Sequence, residues 1–338
     1  MVGLSRTSLL AVLSCAVMSV QAANFNTHSF SSSENFDGLG KTKKSLETGY
    51  KSYGVQTVQK KDGHPVKSGE SSVRFEVRDG DCGKNRGSGS WDDCKEKNGG
   101  NERHELSLGS NGLDKGAYEY GWDIYIPVDV NWPRLVSIFL GQWHEKITGI
   151  YSGGDPLIYF YIQDKDLVFQ RRHNCGSPLN LPLKMVKDMA DKWTRIKVMV
   201  DWTDEPSGYF DVYVDDSLAI SYDGPTLRKQ APGGAYFKFG IYRTQVGREK
   251  KLLGDTVVYY DNVYRRKQER TPPNIVSNTT RISDCNKAVS ADNLPENAKL
   301  ICTNATIEWR REKLNGKWVK KAYELGLNQN SCKALLRK

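Results

Sequence analysis

The 338-residue chain predicts an all-β fold, a sandwich of two sheets followed by a small cysteine-containing, partly helical appendage. Three observations predict it. Alternation of apolar and polar residues recurs from residue 73 to residue 263, the mark of half-buried strands. Turn sequences such as Ser207-Gly208, Asp223-Gly224-Pro225 and Pro232-Gly233-Gly234 separate the runs, as glycine and proline punctuate strands. No βαβ rhythm or internal repeat interrupts them. Many strands with little helix mean a sandwich or barrel.

The elements follow in order. Residues 23–70 are polar, rich in Ser, Thr, Lys and Gly, and form a lead that can add edge strands. Val73, Phe75 and Val77 then alternate with Arg74, Glu76 and Arg78. Residues 79–101 read as a glycine-rich charged loop holding Cys82 and Cys94. Asp79-Gly80-Asp81 begins like a calcium loop, but the remaining ligand positions are absent. Tyr120, Trp122, Ile124 and Ile126 alternate until Pro127 ends the run. Residues 135–144 and 157–163 are further runs. Thr194, Ile196, Val198, Val200 and Trp202 share one face, with Arg195, Lys197 and Asp201 on the other. Phe210, Val212 and Val214 alternate with polar neighbours, and residues 236–243 and 256–263 complete the set. The one helical candidate in this region is residues 183–191.

Thr271-Pro272-Pro273 marks a boundary. Residues 274–338 differ in character, with three cysteines and helix-like stretches at 293–299 and 318–325. Asn278-Thr279-Thr280 and Asn304-Ala305-Thr306 match glycosylation sequons, which matter in a eukaryotic secretory host. The expected division is a leader at 1–22, the lead at 23–70, the sandwich at 71–268 and the appendage at 274–338.

The leader expectation rests on Arg6, an apolar stretch at 8–20, and Val20-Gln21-Ala22 as a small-residue cleavage site. That stretch is too short to span a bilayer, and no later run approaches the ~20 apolar residues a span needs. A secreted or periplasmic protein is expected after cleavage near Ala22. Cys15 leaves with the leader, and Val12-Leu13-Ser14 before it is a poor lipidation context. Cys82, Cys94, Cys175, Cys285, Cys302 and Cys332 remain. An even set in an oxidising compartment suggests disulfides. Cys82 with Cys94 is the favoured local pair; one of the last three must pair outside the final segment or stay free. The net charge of +9 suits an acidic polysaccharide or anionic cell surface rather than nucleic acid in an exported protein.

Three stretches carry chemistry: Arg103-His104-Glu105-Leu106, Gln142-Trp143-His144, and residues 236–245, YFKFGIYRTQ. Residues two apart on a strand share a face. Gln142 therefore joins His144. Tyr236, Lys238 and Tyr242 share one face, opposite Phe237, Phe239 and Ile241. Arg103 and Glu105 pair on one face, where Glu105 can fix the guanidinium. His104 falls out of phase and reads as a surface residue, as do His28 and His64.

These stretches, as ERHELS, QWH and YFKFGIYRTQ, resemble in identity and order the signature motifs of jelly-roll polysaccharide lyases of the alginate-lyase type. The wider layout of VRFEVRDGD, GWDIYIPVDV, WTRIKVMVDW, GYFDVYVDD and VVYYDNVYRR is similar to the heparin lyase I and glucuronan lyase group. The resemblance covers roughly residues 70–266 and omits the appendage. It implies a concanavalin A-like β-jelly-roll sandwich and β-elimination on a uronate polymer without an organic cofactor, although a structural calcium is compatible with it. Ser107, Trp143, Phe239 and Arg243 depart from the alginate-lyase pattern, and Trp143 with the wider layout tilts the expected substrate towards glucuronan- or heparin-like chains.

By the same resemblance, Arg103 and Gln142 neutralise the sugar carboxylate, which stabilises an enolate-like transition state. Neutral His144 takes the C5 proton and Tyr242 serves the leaving oxygen. Tyr242 can do both where proton and leaving group lie on one side of the ring. Lys238, Tyr236 and Arg243 are expected subsite residues, Trp143 a stacking or core residue, and Arg171, with Arg172 and His173, a substrate-binding patch. Two alternatives stand. A glycoside hydrolase needs two facing carboxylates, and the E-x-D-x-E strand of such sandwiches is absent. A non-catalytic carbohydrate-binding sandwich needs no convergence of these residues.

Overall fold

The computed structural model describes residues 29–30, 36–39, 42–86, 91–108, 113–145, 156–172, 179–228, 233–269, 280–282, 298–310, 317–324, 332 and 336. Strands are numbered in chain order. The first, eight-stranded sheet runs β1 (Ser29–Phe30), β3 (Thr42–Lys44), β6 (Glu102–Ser107), β15 (Ala235–Thr244), β8 (Ser137–Glu145), β9 (Ile158–Gln163), β10 (Asp166–Arg171) and β11 (Leu179–Met185). The second runs β17 (Thr280–Ile282), β14 (Ser217–Asp223), β13 (Tyr209–Val214), β12 (Trp193–Trp202), β7 (Gly116–Tyr125), β16 (Thr256–Lys267), β5 (Ser71–Val77) and β4 (Val55–Gln59), with β2 (Phe36–Asp37) beside β16. All pairings are antiparallel except β2 with β16 and β14 with β17. The two sheets form a jelly-roll sandwich.

Alternation explains the layering. On β12 every second residue from Thr194 to Trp202 is buried. The core between the sheets is aromatic: Trp143 stacks on Phe237 with ring centroids 4.6 Å apart, and Trp122, Tyr120 and Phe160 pack round them. Such rings bury large apolar areas and add specific ring geometry.

The lead is built into both sheets. β4 forms an edge of the second sheet, β3 and β1 extend the first, and Leu39, Leu46, Val55 and Val58 are buried. The helix expected at 183–191 is absent. Residues 179–185 pair with β10 instead, followed by a single 3₁₀ turn at Val186–Asp188. Leu, Lys and Met look helical in composition, but the stretch pairs along β10 as an edge strand, where Pro182 is tolerated. His104 is also corrected. It is fully buried, its Nδ1 lies against the Glu76 carbonyl, and its Nε2 accepts from the Lys51 amide at 3.1 Å.

Cys82 is bonded to Cys94, as favoured from the sequence, and Cys302 to Cys332. The second bond braces the unit of α1 (Ala298–Arg310) and α2 (Lys317–Glu324). The leader with Cys15 and Ala22, His28, His173, Cys175, Cys285, residues 271–273 and Asn278 lie outside the described residues. Among the described residues, no helix is long and apolar enough to cross a membrane.

Where β15 meets β8 the register slips between Phe239 and Tyr242, and β8 slips against β9 between Phe139 and Gly141. Bulges of this kind re-aim side chains. Gly240 sits in the slip at φ +128°, where a Cβ would lie 2.6 Å from the His104 carbonyl oxygen, so glycine is required there. The slip leaves backbone carbonyls to satisfy. Tyr260, from the second sheet, directs its hydroxyl at Leu140 O (2.6 Å) and Gly240 O (3.1 Å). We expect Tyr260→Phe to lower the unfolding free energy by about 1–3 kcal/mol, because buried acceptors are left unpaired. Urea denaturation measures this; a loss under a few tenths of a kcal/mol would show that the bulge does not need the hydroxyl.

Candidate active site

The outer face of the first sheet collects most of the chemistry-bearing residues in transverse rows. One row crosses β6 to β10 as Arg103, Tyr242, Phe139, Tyr161 and Val168. The next runs Ser107, Lys238, Gln142, Tyr159, Gln170 and Asn180. Tyr236 opposes His144 in a third. Neighbouring strands are ~4.8 Å apart, so residues in register are in side-chain contact range.

Polar contacts join these rows into one chain. The Gln142 amide nitrogen donates to Glu105 Oε1, and its carbonyl oxygen faces His144 Nε2 at 3.2 Å. Arg103 Nη1 donates to Glu105 Oε2 at 3.5 Å, and Lys238 Nζ lies 3.9 Å from the same oxygen. The Arg103 guanidinium carbon lies 3.6 Å from the centre of the Tyr242 ring, a cation–π contact. Glu105 only accepts as a carboxylate, which orients the Gln142 amide towards it. The Gln142 oxygen then faces His144, so the imidazole proton resides on Nε2 and the lone pair on Nδ1.

The electrostatics follow from burial. His144 is pushed well below the ordinary histidine value, by desolvation first and then by Lys238, Arg103 and Arg228. Burial raises the Tyr242 phenol, against the lowering pull of Arg103. Burial and then the Glu105 charge push Tyr236 up to about 12. Burial lowers Lys238, with Glu105 opposing. Near neutrality the face therefore holds a neutral imidazole beside protonated phenols.

Six of the nine residues singled out from the sequence thus meet on one face: Arg103, Gln142, His144, Tyr242, Lys238 and Tyr236. Three do not. Trp143 has no exposed surface and packs in the core, because it alternates with Gln142 and His144. Arg243 continues the inward phase of Phe237, Phe239 and Ile241. It is buried against Glu102 at 2.6 Å and the Gly254 carbonyl at 2.6 Å. Arg171 follows Leu167 and Phe169 inward and lies 3.9 Å over the Tyr222 ring. None of the three presents its side chain to the outer face.

Further residues lie on this face: Arg172, expected in a substrate-binding patch, and others that escaped the sequence reading. Phe139 stacks on Tyr159 at 4.4 Å and meets Tyr242 edge-on. Arg172 donates to the Tyr159 hydroxyl at 2.9 Å, and Gln170 donates to Asn180. The alternation of Tyr159 and Tyr161 against Ile158, Phe160 and Ile162 could have revealed the aromatic row. Asp93, bonded to Arg103, had no local signal. No group of three or more His, Cys, Asp or Glu among the described residues is placed to hold a metal ion.

A family profile described as polysaccharide lyase matches residues 39–264. The chain belongs to the polysaccharide lyase family, and it is a lyase rather than a hydrolase or a lectin. Solved structures with a similar fold include the endo-β-1,4-glucuronan lyase of the fungus Trichoderma reesei. That match has 19% identity and a TM-score of 0.48, covering 63% of this chain and 87% of that one. Alginate lyase A1-II′ matches at 15% identity and a TM-score of 0.41, covering 59% and 81%. The alginate lyase AlyA1 of Zobellia galactanivorans matches at 14% and 0.40, covering 58% and 78%. No curated protein sequence gave a match.

The buried imidazole gives a direct test. We expect the His144 ring resonances to titrate with a midpoint below the model-peptide value of about 6.5. The unfolded chain then binds the proton first on acidification. The stability that neutral His144 contributes is complete above that value and is lost as pH falls below it. A midpoint at or above 6.5 would contradict the desolvated placement.

Proposed function

We propose that the chain is a secreted lyase acting on a uronate-containing acidic polysaccharide, with Arg103, Gln142, His144 and Tyr242 performing the elimination. The observation that carries this reading is the continuous contact path from the Tyr242 ring through Arg103, Glu105 and Gln142 to His144. The path links a protonated phenol, a cation, an amide and a neutral imidazole.

Each role follows from the local chemistry. The Gln142 amide nitrogen has a second hydrogen beyond the one serving Glu105, available to a sugar carboxylate. Arg103 adds positive charge beside it through Nη1. Together they offset the charge that develops when the C5 proton leaves. His144, held neutral by burial, accepts that proton at its free nitrogen. The C4–O bond breaks as the C4–C5 double bond forms, and the phenol of Tyr242 gives its proton to the departing oxygen. Its raised pKa suits a donor and disfavours a standing phenolate base. No organic cofactor takes part.

Lys238 and Arg172 are suited to anionic groups on neighbouring sugars, and Phe139, Tyr159 and Tyr161 to sugar faces. Trp143 faces the core and so bears on packing rather than on the choice of polymer. The apolar leader at 8–20 supports export.

The test is a panel of glucuronan, alginate, heparin, heparan sulfate and hyaluronan, followed by the ultraviolet absorbance of the unsaturated uronyl product. We expect turnover on at least one polymer; inactivity on all would overturn the substrate class. On the active polymer, Tyr242→Phe should lower kcat by about 10²–10⁴-fold with KM little changed, the span typical of a lost proton transfer. Full turnover by that variant would remove Tyr242 from the chemistry.

A further inference from the structure

We propose that Asp93, presented by the loop that the Cys82–Cys94 disulfide closes, is the positioning residue for Arg103, and that turnover depends on it. This rests on the reading of Arg103 as part of the reaction site.

The geometry is that of a fork on a fork. Arg103 Nε donates to Asp93 Oδ2 at 2.7 Å and Nη2 donates to Oδ1 at 2.6 Å. Bidentate pairs of this kind fix orientation as well as charge. Asp93 has no exposed surface, and Arg103 has 5%. The pairing leaves Nη1 as the guanidinium nitrogen directed at Glu105, with the central carbon 3.6 Å from the centre of the Tyr242 ring. Without Asp93 the guanidinium has no reason to keep that rotation about its long side chain.

The loop is built to deliver this carboxylate. Asp93 adjoins Cys94, and Asp81 adjoins Cys82. The Asp81 carbonyl accepts from the Arg103 amide at 2.9 Å, so the two halves of the disulfide flank the two groups that hold Arg103. Further bonds seat the loop. The Asp93 amide donates to Gly83 O at 2.9 Å, the Asn101 amide donates to Asp93 O at 2.9 Å, and the Trp91 indole donates to Asp93 Oδ1 at 2.7 Å. A cross-link limits the alternatives open to the stretch. Among the groups assigned to the reaction Asp93 is bonded to the Arg103 guanidinium, and its charge also helps to raise the Tyr242 phenol.

The test is a double-mutant cycle on the full chain. Asp93→Asn alone should lower kcat by about 10²-fold with a smaller change in KM, as a misplaced charge does. Arg103→Ala should lower kcat at least as far. Asp93→Asn added to Arg103→Ala should lower it no further, because the carboxylate then has nothing to position. A purely structural role would instead lower kcat independently in both backgrounds. Additive losses, or Asp93→Asn with kcat within twofold of the parent, would overturn the proposal.

Two further measurements bear on the proposal, and the second covers the case of poor folding or absent turnover. Cys82→Ala/Cys94→Ala keeps the carboxylate and loosens the loop. It should lower kcat by a smaller factor than Asp93→Asn, and equality with the parent would remove the loop from the proposal. The Arg103 Nε–H resonance should be protected from solvent exchange in the parent and unprotected in Asp93→Asn. That readout needs no substrate, so it separates failure of the pairing from failure of the lyase substrate assignment. An unprotected parent resonance would overturn the pairing itself.

Discussion

The outer face of the first sheet depends on one buried carboxylate, Glu105. Its two oxygens gather an amide, a guanidinium and an ammonium from β15, β8 and β6 itself. A carboxylate so placed must be compensated, because an isolated buried charge is costly. The compensation brings Arg103, Gln142 and Lys238 to one point, and His144 is oriented at second hand through the Gln142 carbonyl. The opposite residue on β15 is Gly240, where a Cβ would meet the His104 carbonyl and the core ring of Phe75.

The chemistry of the face comes from unequal burial of groups that look alike in isolation. Histidine and lysine are discouraged from carrying charge, while the phenols are discouraged from losing their protons. Each shift has desolvation as its largest or opposing cause, and the charges of Arg103 and Glu105 then separate one group from another. The result is a neutral imidazole and a protonated phenol that coexist at one pH on neighbouring strands.

Much of this was legible in the sequence, and the reason is periodicity. Strands such as residues 194–202 and 236–242 alternate so regularly that the inner and outer faces can be read from apolar spacing alone. The same rule, applied one step further, would have placed Arg243 and Arg171 inside with Phe239 and Phe169. Their charge argued for the surface, but buried partners in Glu102 and the Tyr222 ring outweighed it. His104 misled in the same way. Its buried site depends on the Glu76 carbonyl and the Lys51 amide, which only the fold brings near. Residues 183–185 escaped because composition favoured a helix, and their pairing with the preceding strand β10 leaves no mark on their own spacing. Asp93 was hidden because a loop residue carries no periodicity, and its bond to Arg103 exists only once β6 and the disulfide loop are in place.

A crystal structure of the Tyr242→Phe variant with a bound uronate oligosaccharide tests the arrangement most directly. We expect one sugar carboxylate within hydrogen-bond distance of the Gln142 amide nitrogen and close to Arg103 Nη1, with its C5 facing His144 and the glycosidic oxygen above ring position 242. An oligosaccharide bound on the outer face of the second sheet, or one whose carboxylates avoid both Gln142 and Arg103, would contradict it.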